Sequence, residues 1–415
     1  MKPLVVAIIG TALITTQQIP RQKFVPPPTA ASDLVVRLDH VGTIPTHANP
    51  TSPAVAGSRL LLIDQGTAIY VWDGAHAEKL LGAEGAPQGI TPFEYERLLN
   101  AAANADGSKV YVAFISASAP RGIPTRQSPR EQSDGYYVIV EYAFDGARLT
   151  SLRSLLALGA RSTGHIGGGL LVLPDGTLLF SPGDNGDSFE DGRDDSQDAG
   201  THLAKILHID PATPANTAVV AVGVRCAQRL ILAESGGERF VTFVEPGGWV
   251  AEEINAIRLP DLLAPSGPAN FGWGRHAGDK KAREGTFYIS PKGDSIAAIP
   301  EGEPGFRDPI AQFGRDGISP IAVSGPVASA KSFQTISLLF GDLLTGSFYA
   351  ITGSLGQARQ TVYDVTIVDA DGKPVNLKDL AAAKRPDPRF FNFPDGTAGV
   401  LLERTGEFYK LTQIK

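Results

Sequence analysis

The feature that most constrains the fold of this chain is a recurring hairpin pattern: a short apolar strand, an Asp-Gly turn and a second strand. Six such turns occur, at Trp72–Gly74, Ala105–Gly107, Phe144–Gly146, Pro174–Gly176, Ala370–Gly372 and Pro394–Gly396. Asp-Gly favours a tight hairpin because glycine accepts a positive φ and the aspartate side chain hydrogen-bonds to nearby backbone. Flanking segments such as RLLLID (Arg59–Asp64) and KVYVAFI (Lys109–Ile115) are rich in strand formers. The sequence therefore predicts an all-β protein.

The spacing of these hairpins predicts how the strands are arranged. Strand pairs that recur about every 25–50 residues, without long helices between them, are typical of a β-propeller, whose blades bury their faces against neighbouring blades. A large β-sandwich is the alternative, but it would not need so many hairpins. The chain has 415 residues, which accommodates about six blades. We therefore predict a six-bladed β-propeller.

Two polar, glycine-rich connections are unusually long, Ser116–Gly135 and Gly183–His202. Connections of this length are uncommon in compact domains unless they are disordered or build a functional site. In a propeller they would gather on one face around the central channel. The prediction is therefore of long loops on one face, which would carry the functional surface.

The charge of the chain excludes one class of partner. The formal net charge is −7, and no basic run exceeds three residues. Proteins that bind nucleic acid carry a clustered basic face instead, so we expect no nucleic-acid partner. Cys226 is the single cysteine, so an internal disulfide is impossible.

The first residues, MKPLVVAIIGTALITT (1–16), are typical of an export signal. A lysine precedes about twelve mostly apolar residues, too few to span a bilayer as a helix. An uncleaved anchor or a buried N-terminal strand is the alternative. We interpret the proline-rich segment 17–33 as a tether and residues 34–415 as the propeller domain. This division predicts a periplasmic or secreted protein without stable membrane insertion beyond the signal.

His165 is the first candidate functional residue, in the stretch GHIGGGLLVLPDGTLLFSPGDNGD (Gly164–Asp187). An isolated histidine in a β protein is more often a structural hydrogen-bonding group than a base. The glycines that follow, Gly167–Gly169, leave the backbone bare, which suits close approach by a flat ligand or by another strand. Because imidazole titrates near neutral pH, His165 is a candidate general base.

The elements around His165 follow an order that resembles a known family. They are His165 with Gly167–Gly168, then LLVLPDGTLLF and Gly183–Asp184, SQDAGTHLAKILHIDP (Ser196–Pro211), GVRCAQRL (Gly223–Leu230), VEPGGWVAEEIN (Val244–Asn255) and NFGW (Asn270–Trp273). In type, order and spacing these resemble the soluble aldose (glucose/sorbosone-type) dehydrogenases, which use pyrroloquinoline quinone (PQQ) and calcium. Later parts of the chain fit the family more loosely.

The resemblance implies a fold and a reaction. The family's fold is a six-bladed propeller. Its members oxidise the C1 hydroxyl of an aldose to the lactone, with hydride passing to PQQ and calcium polarising the quinone oxygen. By this comparison His165 would take the hydroxyl proton. The implied substrate is a small sugar, and the electron acceptor stays unassigned.

The resemblance also assigns residues to the cofactor and to the metal. Arg225 would face the carboxylates of PQQ, for which a guanidinium is well matched, and Gly247 would lie beside the cofactor. Backbone carbonyls and carboxylates would hold calcium, which prefers oxygen ligands. The residues implied for calcium are Pro246, Gly247 and Gly248 at the cofactor, and Glu252 and Glu253 at a nearby structural ion, with a carbonyl around Phe271.

Several positions depart from the family pattern. Cys226 replaces an asparagine after the arginine, and Arg229 replaces a glycine. Pro386 and Pro388 stand where the family has arginines, with Arg385 and Arg389 beside them as candidate cofactor-binding cations. A lost charged hydrogen bond costs roughly 1.5–3 kcal/mol, so several together would abolish cofactor binding.

These departures keep alternative functions open. A propeller without the cofactor could act as a carbohydrate- or protein-binding module, and a calcium lactonase is a further alternative. Asp184, Asn185 and Asp187 are candidates to orient His165 or to rim the pocket, with a solvated acidic loop as the other interpretation. Trp273 is expected to be a packing aromatic rather than a platform for a sugar.

Overall fold

The computed structural model describes residues 28–44, 50–64, 68–81, 95–120, 123, 125–126, 135–160, 165–185, 196–198, 200–246, 252–273, 282–284, 287–289, 296–298, 305–313 and 323–415. Nearly all regular structure in these ranges is β. The first strands are β1 (Val35–Thr43), β2 (Ala54–Ala56), β3 (Arg59–Asp64), β4 (Ala68–Trp72), β5 (Ala77–Leu81), β6 (Tyr95–Ala103), β7 (Lys109–Ser116), β8 (Thr125–Arg126), β9 (Gly135–Phe144), β10 (Leu149–Ala160), β11 (Gly167–Val172), β12 (Leu178–Pro182), β13 (Lys205–Ile209) and β14 (Ala218–Val222).

The second half of the chain continues in the same way, with two short helices. Its elements are β15 (Ile231–Ser235), β16 (Glu238–Glu245), β17 (Glu252–Arg258), α1 (Leu259–Leu262), β18 (Ala269–Asn270), β19 (Ala282–Glu284), β20 (Phe287–Ile289), β21 (Ile296–Ala298), β22 (Ala311–Phe313), β23 (Val323–Ala328), β24 (Leu338–Asp342), β25 (Phe348–Ile351), β26 (Tyr363–Val368), α2 (Leu377–Leu380), β27 (Pro388–Asn392), β28 (Ala398–Leu402) and β29 (Glu407–Gln413). A 3₁₀ turn spans Pro214–Asn216. Within the described residues the protein is therefore all-β, as predicted.

Four sheets of four or five strands form separate blades. In strand order these are β2-β3-β4-β5, β6-β7-β9-β10-β8, β11-β12-β13-β14-β18 and β15-β16-β17-β22, here called blades one to four. Strands β19, β20 and β21 form a small sheet of their own. The remaining strands join into one eight-stranded sheet, β23-β24-β25-β26-β1-β29-β28-β27.

The eight-stranded sheet results from pairing on both edges of β1. This strand runs parallel to β26, with Val35 opposite Thr366, and antiparallel to β29, with Val36 opposite Gln413. The hydrogen bonds to β26 fuse two sets of four strands that would otherwise be separated by open edges. The predicted propeller arrangement is confirmed, whereas six separate blades is wrong: the described residues form four separate blades and one continuous sheet.

The apolar core lies between neighbouring sets of strands. Leu99 and Tyr137 of blade two pack with Phe180 of blade three in one buried cluster. Another cluster joins Leu60 of blade one to Phe391 of β27, which closes the ring between the eight-stranded sheet and blade one. Each face is thus buried against the next set of strands, the packing that a propeller requires.

The Asp-Gly turns act as the sequence predicts. In the turn between β11 and β12, Thr177 N donates to Asp175 Oδ1 at 3.0 Å, and Gly176 has φ +86°. Gly107, between β6 and β7, also has a positive φ, and a Cβ there would lie 2.3 Å from Gly57 N of blade one. The turn glycines therefore serve hairpin geometry and, at Gly107, contact between blades.

Most of the predicted N-terminal signal and tether lies outside the described residues. Residues 1–27 are not described, so the export signal and most of the tether stay predictions. Ala30 N donates to Val362 O at 2.8 Å, so the end of the predicted tether lies against β26. Among the described residues, no helix has the length and apolar character needed to cross a membrane. The two long connections fall largely outside the described ranges, so their common face stays a prediction as well.

Candidate active site

His165 lies immediately before β11 of blade three, in a segment held by close backbone contacts. Its φ is +47°, and its carbonyl accepts from Asn185 N at 3.2 Å. A Cβ on Gly183 would come 1.6 Å from that carbonyl oxygen, so only glycine fits there. A Cβ on Gly168 would lie 2.9 Å from Leu99 Cβ. Of the two interpretations of the glycine run, the structure supports close approach by a neighbouring strand.

His165 and Asp184 form a hydrogen-bonded pair. The distance from His165 Nδ1 to Asp184 Oδ1 is 3.1 Å; 42% of the imidazole side chain is exposed, but only 2% of the carboxylate side chain. An ionised carboxylate only accepts hydrogen bonds, so the proton resides on Nδ1 and the lone pair on Nε2. Asp184 therefore orients His165, as one of the two interpretations predicted, and Nε2 is left as the basic nitrogen.

Trp273 and Arg225 complete the surroundings of Asp184. Trp273 Nε1 donates to Asp184 Oδ2 at 3.0 Å, and the guanidinium carbon of Arg225 lies 4.9 Å from the centre of the indole ring. Arg225 Nε is 4.0 Å from Asp184 Oδ2. A buried carboxylate needs such partners to remain charged. Trp273 thus belongs to the site through this hydrogen bond, a role that sequence reasoning did not predict.

Arg225 covers the basic nitrogen of His165. Its Nη2 lies 3.1 Å from His165 Nε2, and its Nη1 donates to Pro246 O at 2.6 Å. A guanidinium has no acceptor, so Arg225 donates to the Nε2 lone pair. The backbone fixes this arrangement from both sides, because Asp184 N donates to Arg225 O at 2.8 Å and Arg225 N donates to a Glu245 carboxylate oxygen.

A buried hydrogen-bond chain supports the turn that carries Asp184. Asn185 Nδ2 donates to Tyr137 Oη at 2.6 Å, and that hydroxyl donates to Ile166 O at 2.9 Å. Tyr137 is fully buried, and burial raises the pKa of its hydroxyl far above the ordinary value. These hydrogen bonds link Tyr137 of blade two to Ile166 and Asn185, and they hold the His165–Asp184 pair in place. Asp187, the third candidate of this segment, lies outside the described residues.

The predicted acidic residues lie on opposite faces of one strand. Glu252 and Glu253 are successive residues of β17, so their side chains point to opposite faces of the sheet. Glu253 lies instead opposite Glu245 of β16. Burial, and then Glu253, raise the pKa of Glu245 well above its usual value, against the hydrogen bonds from the N–H groups of Arg225 and Cys226. Sequence reasoning missed Glu245, although it precedes Pro246 directly.

The described donors do not fit the predicted calcium site. Pro246 O accepts from the cationic Arg225 side chain, which would repel a metal ion at the same oxygen. Gly247 and Gly248 lie outside the described residues. Elsewhere in the described ranges, no group of three or more histidine, cysteine, aspartate or glutamate side chains is placed to hold a metal. We therefore derive no step through calcium.

The two late arginines are paired with carboxylates. Arg389 Nη2 is 2.9 Å from Glu403 Oε2, and its Nη1 donates to Gln228 Oε1 at 3.0 Å. Arg385 Nε is 2.7 Å from Asp387 Oδ2. Arg389 thus reaches the segment that carries Arg225 through Gln228. For a tricarboxylated cofactor the fit is partial: His165 and Arg225 are together, whereas the charges of the other two arginines are already balanced.

Comparison with known proteins gives structural likeness only. No protein-family model matches the chain, and no curated protein does. The PQQ-bound form of aldose sugar dehydrogenase from Streptomyces coelicolor has a TM-score of 0.59 at 20% identity, over 94% of this chain and 99% of that one. A putative oxidoreductase (glucose dehydrogenase) from Thermus thermophilus has a TM-score of 0.59 at 17% identity, over 91% and 100%. This chain shares the fold of these sugar dehydrogenases.

The likeness extends to a fungal protein. The holo form of the pyranose dehydrogenase PQQ domain from Coprinopsis cinerea has a TM-score of 0.51 at 12% identity, over 94% of this chain and 100% of that one. The resemblance seen in the motif order is therefore confirmed at the level of fold. At identities this low, the role of each residue has to be argued from the site itself.

Proposed function

We propose that this protein belongs to the PQQ-dependent sugar dehydrogenases and oxidises a sugar hydroxyl, with His165 as the base that removes the hydroxyl proton. The observation that carries the proposal is the His165–Asp184 pair, in which a buried carboxylate orients an accessible imidazole. The finer expectation is the C1 hydroxyl of an aldose, giving the lactone. The predicted signal at residues 1–16 would place this reaction in the periplasm or outside the cell.

The described residues can carry out the proton transfer. Asp184 holds Nδ1–H, which leaves Nε2 to accept the proton of a bound hydroxyl group. The imidazolium that forms is stabilised by the same carboxylate, as in other histidine–carboxylate pairs. Bound PQQ would supply the two-electron acceptor for hydride, the chemistry that the protein itself lacks.

Arg225 has to give up its bond to His165 Nε2 before the base can act. Its guanidinium suits a carboxylate of the cofactor, and Gly247 is the other predicted neighbour of PQQ. Arg389 would contribute only if its bond to Glu403 were exchanged, and Arg385 only if it left Asp387. The reoxidising electron acceptor is not identified by any residue.

Reconstitution tests the proposal. Purified protein is mixed with PQQ, with and without Ca²⁺, and dye reduction is followed over a panel of aldoses. We expect turnover that falls by about 10²–10⁴-fold in His165→Ala, the usual contribution of a general base. His208→Ala is the matched control, since His208 bonds Thr177 on another part of blade three at 2.9 Å. Full activity of His165→Ala would refute the assigned base.

A second function is favoured by the paired arginines. Because Arg385 and Arg389 are neutralised by Asp387 and Glu403, a propeller that has lost the cofactor and binds a carbohydrate or a protein is consistent with the site. Calorimetry separates the two functions. PQQ uptake supports the dehydrogenase, whereas sugar binding without PQQ uptake or turnover supports the binding module.

A further inference from the structure

A cavity of about 250 Å³ lies between the innermost strands of the propeller. Its lining comes from β2, β6, β11 and β15, with Asn392 at the end of β27. Most of the lining is aliphatic. Among the lining side chains, which all belong to the described residues, Arg229 alone carries a charge. A cation among mostly aliphatic side chains is unusual, because withdrawing a charge from water is unfavourable without compensation.

Arg229 is held in this cavity by its surroundings. It lies just before β15, and its stem packs on Gly325 of β23, where an added Cβ would come 2.5 Å from Arg229 Cβ. The glycine makes room for the arginine.

The guanidinium of Arg229 has no partner among the described residues. Its Nε is buried without a hydrogen bond. Burial alone lowers the pKa of Arg229, to about 10, with no contribution from a neighbouring charge. The group is therefore still cationic at neutral pH. Arg225, Arg385 and Arg389 differ from it, since each has an oxygen partner.

The cavity also offers neutral polar groups. Asn392 Oδ1 is buried and accepts no hydrogen bond, while its Nδ2 donates to Ala328 O at 3.2 Å. Asn100 Oδ1 accepts from Ala101 N at 2.9 Å, which leaves its amide N–H groups as donors. A ligand that suits these groups has an anionic end for Arg229 and a hydroxyl donor for Asn392 Oδ1.

We propose that the central cavity is a binding site for a small hydroxycarboxylate anion, with its carboxylate on Arg229 and a hydroxyl on Asn392. A volume of about 250 Å³ accommodates a molecule the size of a sugar acid. The lining includes none of the residues of the His165 site. The part of β11 that lines the cavity begins at Leu170, beyond the glycines next to His165. Arg229 lies four residues after Arg225, on the segment between β14 and β15.

The test measures binding of sodium gluconate to the full chain without PQQ, by calorimetry and thermal unfolding at constant ionic strength. Glucose, acetate and chloride are the comparison ligands. We expect gluconate to bind and to raise Tm by mass action, with binding weakened at least about tenfold in Arg229→Gln, the loss expected for a charged hydrogen bond. Arg258→Gln is the matched control, because Arg258 already pairs with Glu238 on an exposed edge.

Each outcome is decisive. Unchanged gluconate binding in Arg229→Gln, or no binding to the wild-type protein, overturns the proposal. Equal effects of acetate, chloride and gluconate would mean an adventitious ion only. If Arg229→Gln fails to fold, Arg229→Lys keeps the charge, and a gluconate-soaked crystal of the wild-type protein must show the carboxylate beside Arg229. Since PQQ and turnover play no part, failure here leaves the proposed dehydrogenase untouched.

Discussion

Two charged clusters of this propeller use their carboxylates differently. At the His165 site one buried carboxylate, Asp184, serves an imidazole, an indole N–H and a nearby guanidinium. In the cluster around β27, Asp387 meets Arg385 and, at 3.9 Å, Arg404, while Glu403 meets Arg389. The second cluster thus pairs each of its carboxylates with arginine. The first leaves an accessible imidazole, 42% exposed, with a fixed tautomer.

The comparison suggests which cluster performs chemistry. Ion pairs of this kind contribute to structure, since removing one partner leaves an unpaired charge. A titratable side chain that is oriented by a buried carboxylate and reaches solvent is poised to exchange a proton. Substitutions in the first cluster should therefore change turnover, and those in the second should change stability.

The largest expected effect is that of Asp184→Asn. The introduced amide would donate to His165 Nδ1, which moves the imidazole proton to Nε2 and removes the basic lone pair. We expect kcat to fall by about 10²–10⁴-fold with KM little changed. Steady-state dye reduction measures the effect, with Tm recorded for each variant. Asp184→Glu should restore part of kcat, and Asp145→Asn, at an exposed turn, is the control.

Near-normal kcat in Asp184→Asn would contradict the role of Asp184. The pair with His165 would then be structural, like the pairs around β27. A parallel loss of Tm and kcat that Asp184→Glu does not reverse would lead to the same conclusion.

The second cluster predicts an effect of pH on stability. Burial, and then Glu403, raise the pKa of Asp387 to about 6. Between about pH 4, where an unfolded aspartate ionises, and pH 6, the folded protein keeps a proton that the unfolded chain has lost. The free energy of unfolding should therefore fall as pH rises through this window, by about 1–3 kcal/mol. Urea unfolding at several pH values measures the slope, which Asp387→Asn should reduce.

An exposed carboxylate provides the control for that slope. For Asp395, burial acts to raise the pKa, but Lys410 and Thr397 lower it to about 2. Asp395 is thus ionised in both states above about pH 5, and its stabilising contribution is lost only as pH falls toward 2. Asp395→Asn should lower the free energy of unfolding equally at pH 5 and pH 6, and so leave its slope between them unchanged. An unaltered slope in Asp387→Asn would assign the pH dependence elsewhere, with Glu245 as the next candidate.

Local features of the fold could be read from the sequence because they depend on neighbouring residues. The Asp-Gly turns specify hairpins through φ and through one side-chain hydrogen bond, and both are local. The fusion of two sets of strands could not be predicted. It depends on β1 pairing with β26 and β29, as in Val36 opposite Gln413, which join residues more than 300 positions apart.

For the site, too, contacts within local motifs could be predicted better than contacts between distant residues. His165, Asp184 and Arg225 lie within ordered motifs, so their meeting could be expected. The split of Glu252 and Glu253 to opposite faces follows from strand periodicity and could have been inferred. The partner of Arg389 could not, since Glu403 is 14 positions away, whereas Asp387 is only two residues from Arg385. Sequence reasoning thus ends at contacts between distant residues, such as Arg389 Nη1 with Gln228 Oε1.

The smallest expected effect belongs to Trp273→Phe, which separates two interactions of one side chain. Phenylalanine keeps an aromatic face for Arg225 but has no N–H for Asp184 Oδ2. Losing one hydrogen bond to a charged group costs about 1.5–3 kcal/mol. Asp184 keeps its bond to His165, so only part of this cost should reach the transition state. We therefore expect kcat to fall about threefold to tenfold, with KM nearly constant.

Another tryptophan of the propeller provides the control for this prediction. Trp72→Phe is matched, since Trp72 packs edge-on against Phe408 at 5.1 Å between ring centres, far from His165 in the fold. It should lower Tm without lowering kcat relative to folded protein. If Trp273→Phe raised KM and left kcat unchanged, the indole would act through Arg225 and ligand binding. In that case the Asp184–His165 bond alone would orient the imidazole at the His165 site.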